Sequence, residues 1–262
     1  MERILPVLGM SVSYFDTEPD ISAKPVLLFF HGWGANKETF LPVIEALRAR
    51  YRLIAPDLPG FGKTGEPDRP WNADDYAAFI EAFVSALGLR GAAFCVCGHS
   101  HGGRVAIKWA ATRPDSGLTR LILIDSAGLK AKRSPVWYTK VCAYKIGKAL
   151  AGLPLLKSFL GPFADRYAEK VGSRDYRQAS PLMRKTMSLL LDEDMGKYLT
   201  RIKAPTLIFW GAQDDETPLS DGKRMERDIP DAGLVVLDPA GHYSYLDQLP
   251  TFLRALIYFM EH

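Results

Sequence analysis

In "CGHSHGGR", residues 97–104, one serine stands between two histidines and is bracketed by glycines. A serine hydroxyl attacks an acyl carbon only when a base takes its proton, so the chemistry open to Ser100 depends on a histidine and an acid elsewhere in the chain. Gly98, His99, Ser100, His101 and Gly102 fit G-x-S-x-G. In that pattern a sharp strand-to-helix turn lifts the hydroxyl above the sheet edge, and glycines relieve the crowding. Alone, the pattern equally describes an ordinary turn serine. The apolar run "GAAFCVC" before it and the helically spaced "RVAIKWAAT" after it supply the context a nucleophile needs.

Five histidines are available as the base. His99 and His101 are tied by the backbone into directions unlike that of a base. His31 opens "HGWG", and His262 ends the sequence, where fraying is expected. His242, in "PAGHYSYLDQ", lies on a loop after the last expected strand and can return over the sheet edge. Elimination and placement give it the base role. Asp214, in "LIFWGAQDDETP", follows a buried strand and is the acid favoured by spacing. Asp125, ending "LILID", is its rival, and Asp57 in "APDLPGFG" is expected to shape a turn. In "FFHGWGAN" a glycine-containing turn would let the Trp33 N–H join that of His101, at a helix N-terminus, in holding an oxyanion.

These residues need a scaffold that gathers distant segments. Short apolar runs alternate with longer amphipathic ones, the pattern of a mostly parallel sheet covered by helices on both faces. Expected strands are 10–15, 26–30, 51–55, 92–97, 121–124, 206–210 and 234–237; expected helices are 39–49, 73–87, 102–112, 220–228 and 251–260. From about 128 to 194 the alternation breaks, leaving only helical patterns such as "VWYTKVCAYKIGKALAGL" and "SPLMRKTMSLLL". The expected division is therefore a core of 1–128 and 195–262 with an all-helical cap, 129–194, inserted between two strands.

The chain of 262 residues, 47% apolar and 24% charged, has the balance of one soluble globular domain with an insertion. Its net charge of +3 is unevenly spread: residues 129–190 hold thirteen Lys or Arg and three acids, about +10, which leaves the remainder near −7. The core's acidity and the lack of a binding motif argue against nucleic acid. No apolar run approaches the roughly 20 residues of a membrane span. "MERILPVLGMSVSYFD" lacks a continuous apolar stretch with a cleavage site, so no signal peptide is expected. Cys95, Cys97 and Cys142 are an odd count without zinc-ligand spacing, which points to a reducing, cytoplasmic setting with no metal.

Taken together, "HGWGA", "DLPGFGKT", "GHSHGGRVAIKWA", "IKAPTLIFWGAQDDETP" and "GHYSYLDQLP" resemble the landmarks of the α/β-hydrolase superfamily, in its chain order Ser…Asp…His. The resemblance spans nearly the whole chain. It implies an α/β-hydrolase fold, with Ser100 as nucleophile, Asp214 as acid, His242 as base, and Trp33 and His101 as backbone oxyanion donors. It places a cap after "LILIDSAG". Superfamily members that open epoxides or remove halides use an aspartate at the elbow, so Ser100 implies acyl transfer without a cofactor. The expected activity is a carboxylesterase acting on a small-molecule ester or thioester. The alternatives are a C–C bond hydrolase or a menaquinone-pathway-like lyase acting on a carboxylate-bearing substrate, or a ligand-binding protein that keeps the fold without catalysis. Arg104 bears on the choice, because the lyase's similar "GGR" uses its arginine on a substrate carboxylate. From its own placement, one helical turn past the serine, a structural salt bridge is the simpler expectation. Trp137 and Tyr138 in the cap are further candidate substrate contacts.

Overall fold

A computed structural model describes residues 2–18, 23–130 and 178–262. Eight strands form one sheet in the order β1-β2-β4-β3-β5-β6-β7-β8. They are β1 Glu2–Val7, β2 Met10–Asp16, β3 Val26–Phe30, β4 Arg52–Pro56, β5 Phe94–His99, β6 Leu118–Ile124, β7 Thr206–Gly211 and β8 Ala232–Leu237. β1 and β2 pair antiparallel, as do β2 and β4, and every pairing from β4 through β8 is parallel.

The parallel centre follows from composition. β3 is "VLLFF", β7 is "TLIFWG", and every residue of both is buried. A strand without a polar face must be covered on both sides. Helices supply that cover: α1 Leu41–Leu47, α2 Ala73–Ala86, α3 His101–Thr112, α4 Pro181–Asp192, α5 Leu219–Asp228, α6 Ser244–Asp247 and α7 Leu249–Glu261. Side chains of α2, α3 and α5 pack one face around Trp109 and Trp210. Those of α1, α6 and α7 pack the other around Phe29, Phe209 and Phe252. No helix among the described residues is long and apolar enough to cross a membrane.

Each expected strand and helix is present within a few residues at its ends, but β1 is an addition. "ERILPV" is an edge strand with only Val7 buried, and it carries Pro6, so it shows no apolar periodicity. A tight turn at Leu8 and Gly9, both with positive φ, folds it back on β2. Of the cap interval, α4 lies among the described residues and matches the expected "SPLMRKTMSLLL". Trp137, Tyr138 and Cys142 lie outside them. Cys95 and Cys97 are unpaired and buried on β5, and both enter the same face of the core.

Candidate active site

Four chain segments leave the carboxyl ends of parallel strands β3, β5, β7 and β8 and meet above one edge of the sheet. Brought together there are Ser100, Asp214 and His242, with Trp33 and His101 beside them.

Ser100 joins β5 to α3 with φ +50° and ψ −111°, a conformation few non-glycine residues adopt. Its neighbours hold it there. Its N–H donates to Ile124 O at 2.9 Å, and its carbonyl accepts from Ala127 N at 3.0 Å and Arg104 N at 3.1 Å. The flanking glycines are required by contact. A Cβ on Gly98 would stand 2.6 Å from Gly102 O, and one on Gly102 would stand 2.0 Å from Phe30 O.

His242 reaches across to this turn. Its Nδ1–H donates to Asp214 Oδ2 at 2.9 Å, so Nε2 carries the lone pair that accepts the Ser100 hydroxyl, also at 2.9 Å. Asp214 is saturated as an acceptor. Oδ1 takes the N–H groups of Glu216 and Thr217, both at 2.9 Å, and Oδ2 takes the Thr217 hydroxyl at 2.7 Å as well as the imidazole. Burial pushes the Asp214 pKa up, but these hydrogen bonds outweigh it and hold the carboxylate below its ordinary value. Burial likewise pushes the His242 pKa down, but the bond and charge of Asp214, helped by Glu216, outweigh it and raise it above its ordinary value. Glu216 Oε2 lies 3.5 Å from Nε2 at the rim.

The rival acid has another task. Asp125 accepts from Gly211 N at 2.8 Å and from Ser244 N and Oγ at 3.1 and 2.6 Å, which ties the ends of β6 and β7 to α6. Burial drives its pKa up to about 7. Asp57 shapes the turn after β4 as expected, accepting from Lys37 N and Lys63 N at 2.8 Å and from Lys37 Nζ at 2.6 Å.

Trp33 and His101 line the same cavity as Ser100. Among the described residues neither of their N–H groups has a backbone acceptor. Two such donors beside a nucleophile can stabilise a tetrahedral oxyanion. The loop carrying Trp33 is fixed by His31, whose Nδ1–H donates to Gly32 O at 2.8 Å while Nε2 accepts from Leu58 N at 2.9 Å. Burial lowers its pKa to about 4, so it stays neutral. The sequence showed His31 only as a strand-end residue. The other support missed is Thr217, whose N–H and hydroxyl both donate to Asp214 from three residues further along the chain.

A cavity of about 670 Å³ opens over Ser100, walled by Trp33, Ala127, Met187, Leu190 and Leu191, with Thr217, Glu216 and Arg104 as polar edges. Arg104 departs from the expected salt bridge. Its Nη1 donates to the carbonyls of Leu190 and Glu193, so among the described residues its partners are backbone oxygens at the end of α4. Burial lowers its pKa to about 10. Three further contacts fasten α4 to the core. Ser180 Oγ donates to Glu66 at 2.9 Å, Trp71 N donates to Thr186 Oγ1 at 3.0 Å, and Met183 lies where a Cβ on Gly60 would stand.

Comparison with known proteins agrees with this architecture. The sequence model of a family described as alpha/beta hydrolase fold matches residues 25–249. The chain is 30% identical to AB hydrolase superfamily protein YisY of Bacillus subtilis, over 87% of this chain and 89% of that one. It is 27% identical to a pimeloyl-[acyl-carrier protein] methyl ester esterase of Chromobacterium violaceum, over 90% of this chain and 94% of that one. Among solved structures, a putative lipase from Acinetobacter baumannii superposes with a TM-score of 0.74 at 25% identity, covering 100% of this chain and 91% of that one.

Proposed function

Since this chain belongs to the α/β-hydrolase family, we propose that it is a serine carboxylesterase in which Ser100, His242 and Asp214 act as the triad on a small-molecule ester or thioester. The observation that carries this reading is His242, whose two ring nitrogens each lie 2.9 Å from a partner, Ser100 Oγ on one side and Asp214 Oδ2 on the other. His242 Nε2 takes the hydroxyl proton as Ser100 Oγ bonds to the ester carbon. Asp214 stabilises the imidazolium so formed. The carbonyl oxygen becomes an oxyanion held by the N–H groups of Trp33 and His101. As the tetrahedral centre collapses, the carbon–oxygen bond to the alcohol breaks and His242 returns the proton to the leaving oxygen. Water, deprotonated by the same nitrogen, then attacks the acyl-enzyme, releasing the acid and restoring Ser100.

The cavity's apolar side chains suit an uncharged acyl group, and the proposal keeps residues 129–194 as the inserted cap. Ester chemistry is preferred to C–C cleavage or elimination on a carboxylate-bearing substrate because Arg104, the cation that would hold the carboxylate, already serves backbone carbonyls. The relative named for a methyl ester esterase supports the same choice. A cytoplasmic setting fits the buried, unpaired thiols of Cys95 and Cys97.

Turnover of p-nitrophenyl butyrate tests the reading. Ser100→Ala should lower kcat by at least about 10⁴-fold while thermal unfolding stays near that of the wild type. A folded variant that still turns over the ester at the wild-type rate would overturn it.

A further inference from the structure

We infer that His99, the residue before the nucleophile, is a positioning residue for His242, and that it acts through one donated hydrogen bond. The inference rests on the triad reading above. His99 Nε2 lies 2.7 Å from the backbone carbonyl of His242. A carbonyl only accepts, so Nε2 must carry the proton and Nδ1 must be bare. Nδ1 is buried and has no hydrogen-bond partner. A phenylalanine would fill the same slot without that orphaned nitrogen, so the histidine is accounted for by the one bond it donates.

That bond completes the fixing of the base loop. Ala240 N donates to Gln213 Oε1 at 2.7 Å, Gly241 N to Asp247 Oδ2 at 2.8 Å, and Ser244 N to Asp125 Oδ2 at 3.1 Å. The carbonyl of His242 itself is taken by His99. The ring is boxed in by Tyr243 and Tyr245, with centroids 4.8 and 5.4 Å away. Gly32, in the loop before Trp33, makes room for it: a Cβ there would stand 3.0 Å from Nδ1. One side chain therefore links the nucleophile turn, the oxyanion loop and the base. It is also electrically quiet. Burial, and secondly the nearby His242, lower its pKa to about 3, so it adds no positive charge 5.0 Å from the ring that must become an imidazolium.

Steady-state hydrolysis of p-nitrophenyl butyrate by His99→Phe, His99→Asn, His99→Gln and Ser100→Ala forms the test, with thermal unfolding recorded for each. Gln places its amide nitrogen near the reach of Nε2, whereas Asn stops short and Phe donates nothing. Expected is a fall in kcat of about 100-fold for Phe and Asn with KM within about twofold, the mark of a displaced reacting group rather than a lost binding contact. Gln should recover most of the loss, to within about fivefold of wild type. Wild-type kcat in Phe, or equal kcat in Gln and Asn, overturns the inference. The Gln–Asn comparison decides it if Phe does not fold. Ser100→Ala separates the two levels: if that variant is inactive, such results remove the role of His99 alone, and if it still turns over the ester the triad reading falls and this inference with it.

Discussion

At the scale of single residues, spacing in the sequence favours Asp214 over its rival Asp125 as the acid that serves the histidine. Asp214 and Asp125 both follow buried strands, and nothing in composition separates them. The structure does so through the donors each one meets. Asp214 meets an imidazole and Asp125 meets Gly211 and Ser244. The two amide variants should therefore fail differently. Asp214→Asn removes the acceptor that sets the imidazole tautomer, and kcat should drop by about 10⁴-fold with little change in stability. Asp125→Asn must turn an N–H toward Gly211 N or toward Ser244, which leaves a buried donor unsatisfied and costs about 1–3 kcal/mol. Its folded fraction should keep kcat within about tenfold of wild type. Paired kinetics and thermal unfolding check both, and a large kcat loss in Asp125→Asn with Asp214→Asn unaffected would reverse the assignment.

At the scale of elements, the turn between β5 and α3 is held by close approach rather than by sequence pattern alone. The backbone of α3 runs so near β3 that a Cβ on Gly102 would meet Phe30 O at 2.0 Å, whereas one on Gly65 would meet nothing within 4 Å. Gly102→Ala should push the helix away from the sheet, at a cost of about 1–3 kcal/mol, and carry the His101 N–H out of line. Gly65→Ala should change stability by less than about 0.5 kcal/mol. Equal melting temperatures for the two variants would refute this. Elements also set what could be read from sequence. β3, β5 and β7 were legible because strands buried on both faces are continuous apolar runs. β1 was not, since an exposed edge strand containing Pro6 leaves no such trace. The convergence of Ser100 with His242, 142 positions apart, was legible through elimination among five histidines, placement after the last expected strand, and motif order. The partners of Arg104 were not, because backbone carbonyls at the end of a distant helix carry no sequence signature.

At the scale of the whole molecule, the end of the cap interval is locked to the core by a charged cluster. Lys108 on α3 lies 2.9 Å from both Asp74 of α2 and Glu193, and Glu193 accepts from the Tyr198 hydroxyl at 2.7 Å. Burial alone would raise the Glu193 pKa, but the bonds from Tyr198, Lys108 and Lys197 outweigh it and bring it from 4.5 to about 2. A carboxyl depressed on folding stabilises the native state while ionised. Its contribution is complete above about pH 4.5 and disappears as the pH falls toward 2. The gap in melting temperature between the wild type and Glu193→Gln should thus be widest at pH 6 and should narrow through that acid range. A gap independent of pH would rule out the ion cluster as its source. The same region fixes what α4 can do. It is bolted near its start through Ser180 and Met183, midway through Thr186, and at its far end through Arg104. Swinging it aside would break all of these together, so α4 is a standing wall of the cavity above Ser100, and under the proposed esterase reading an ester enters past another side.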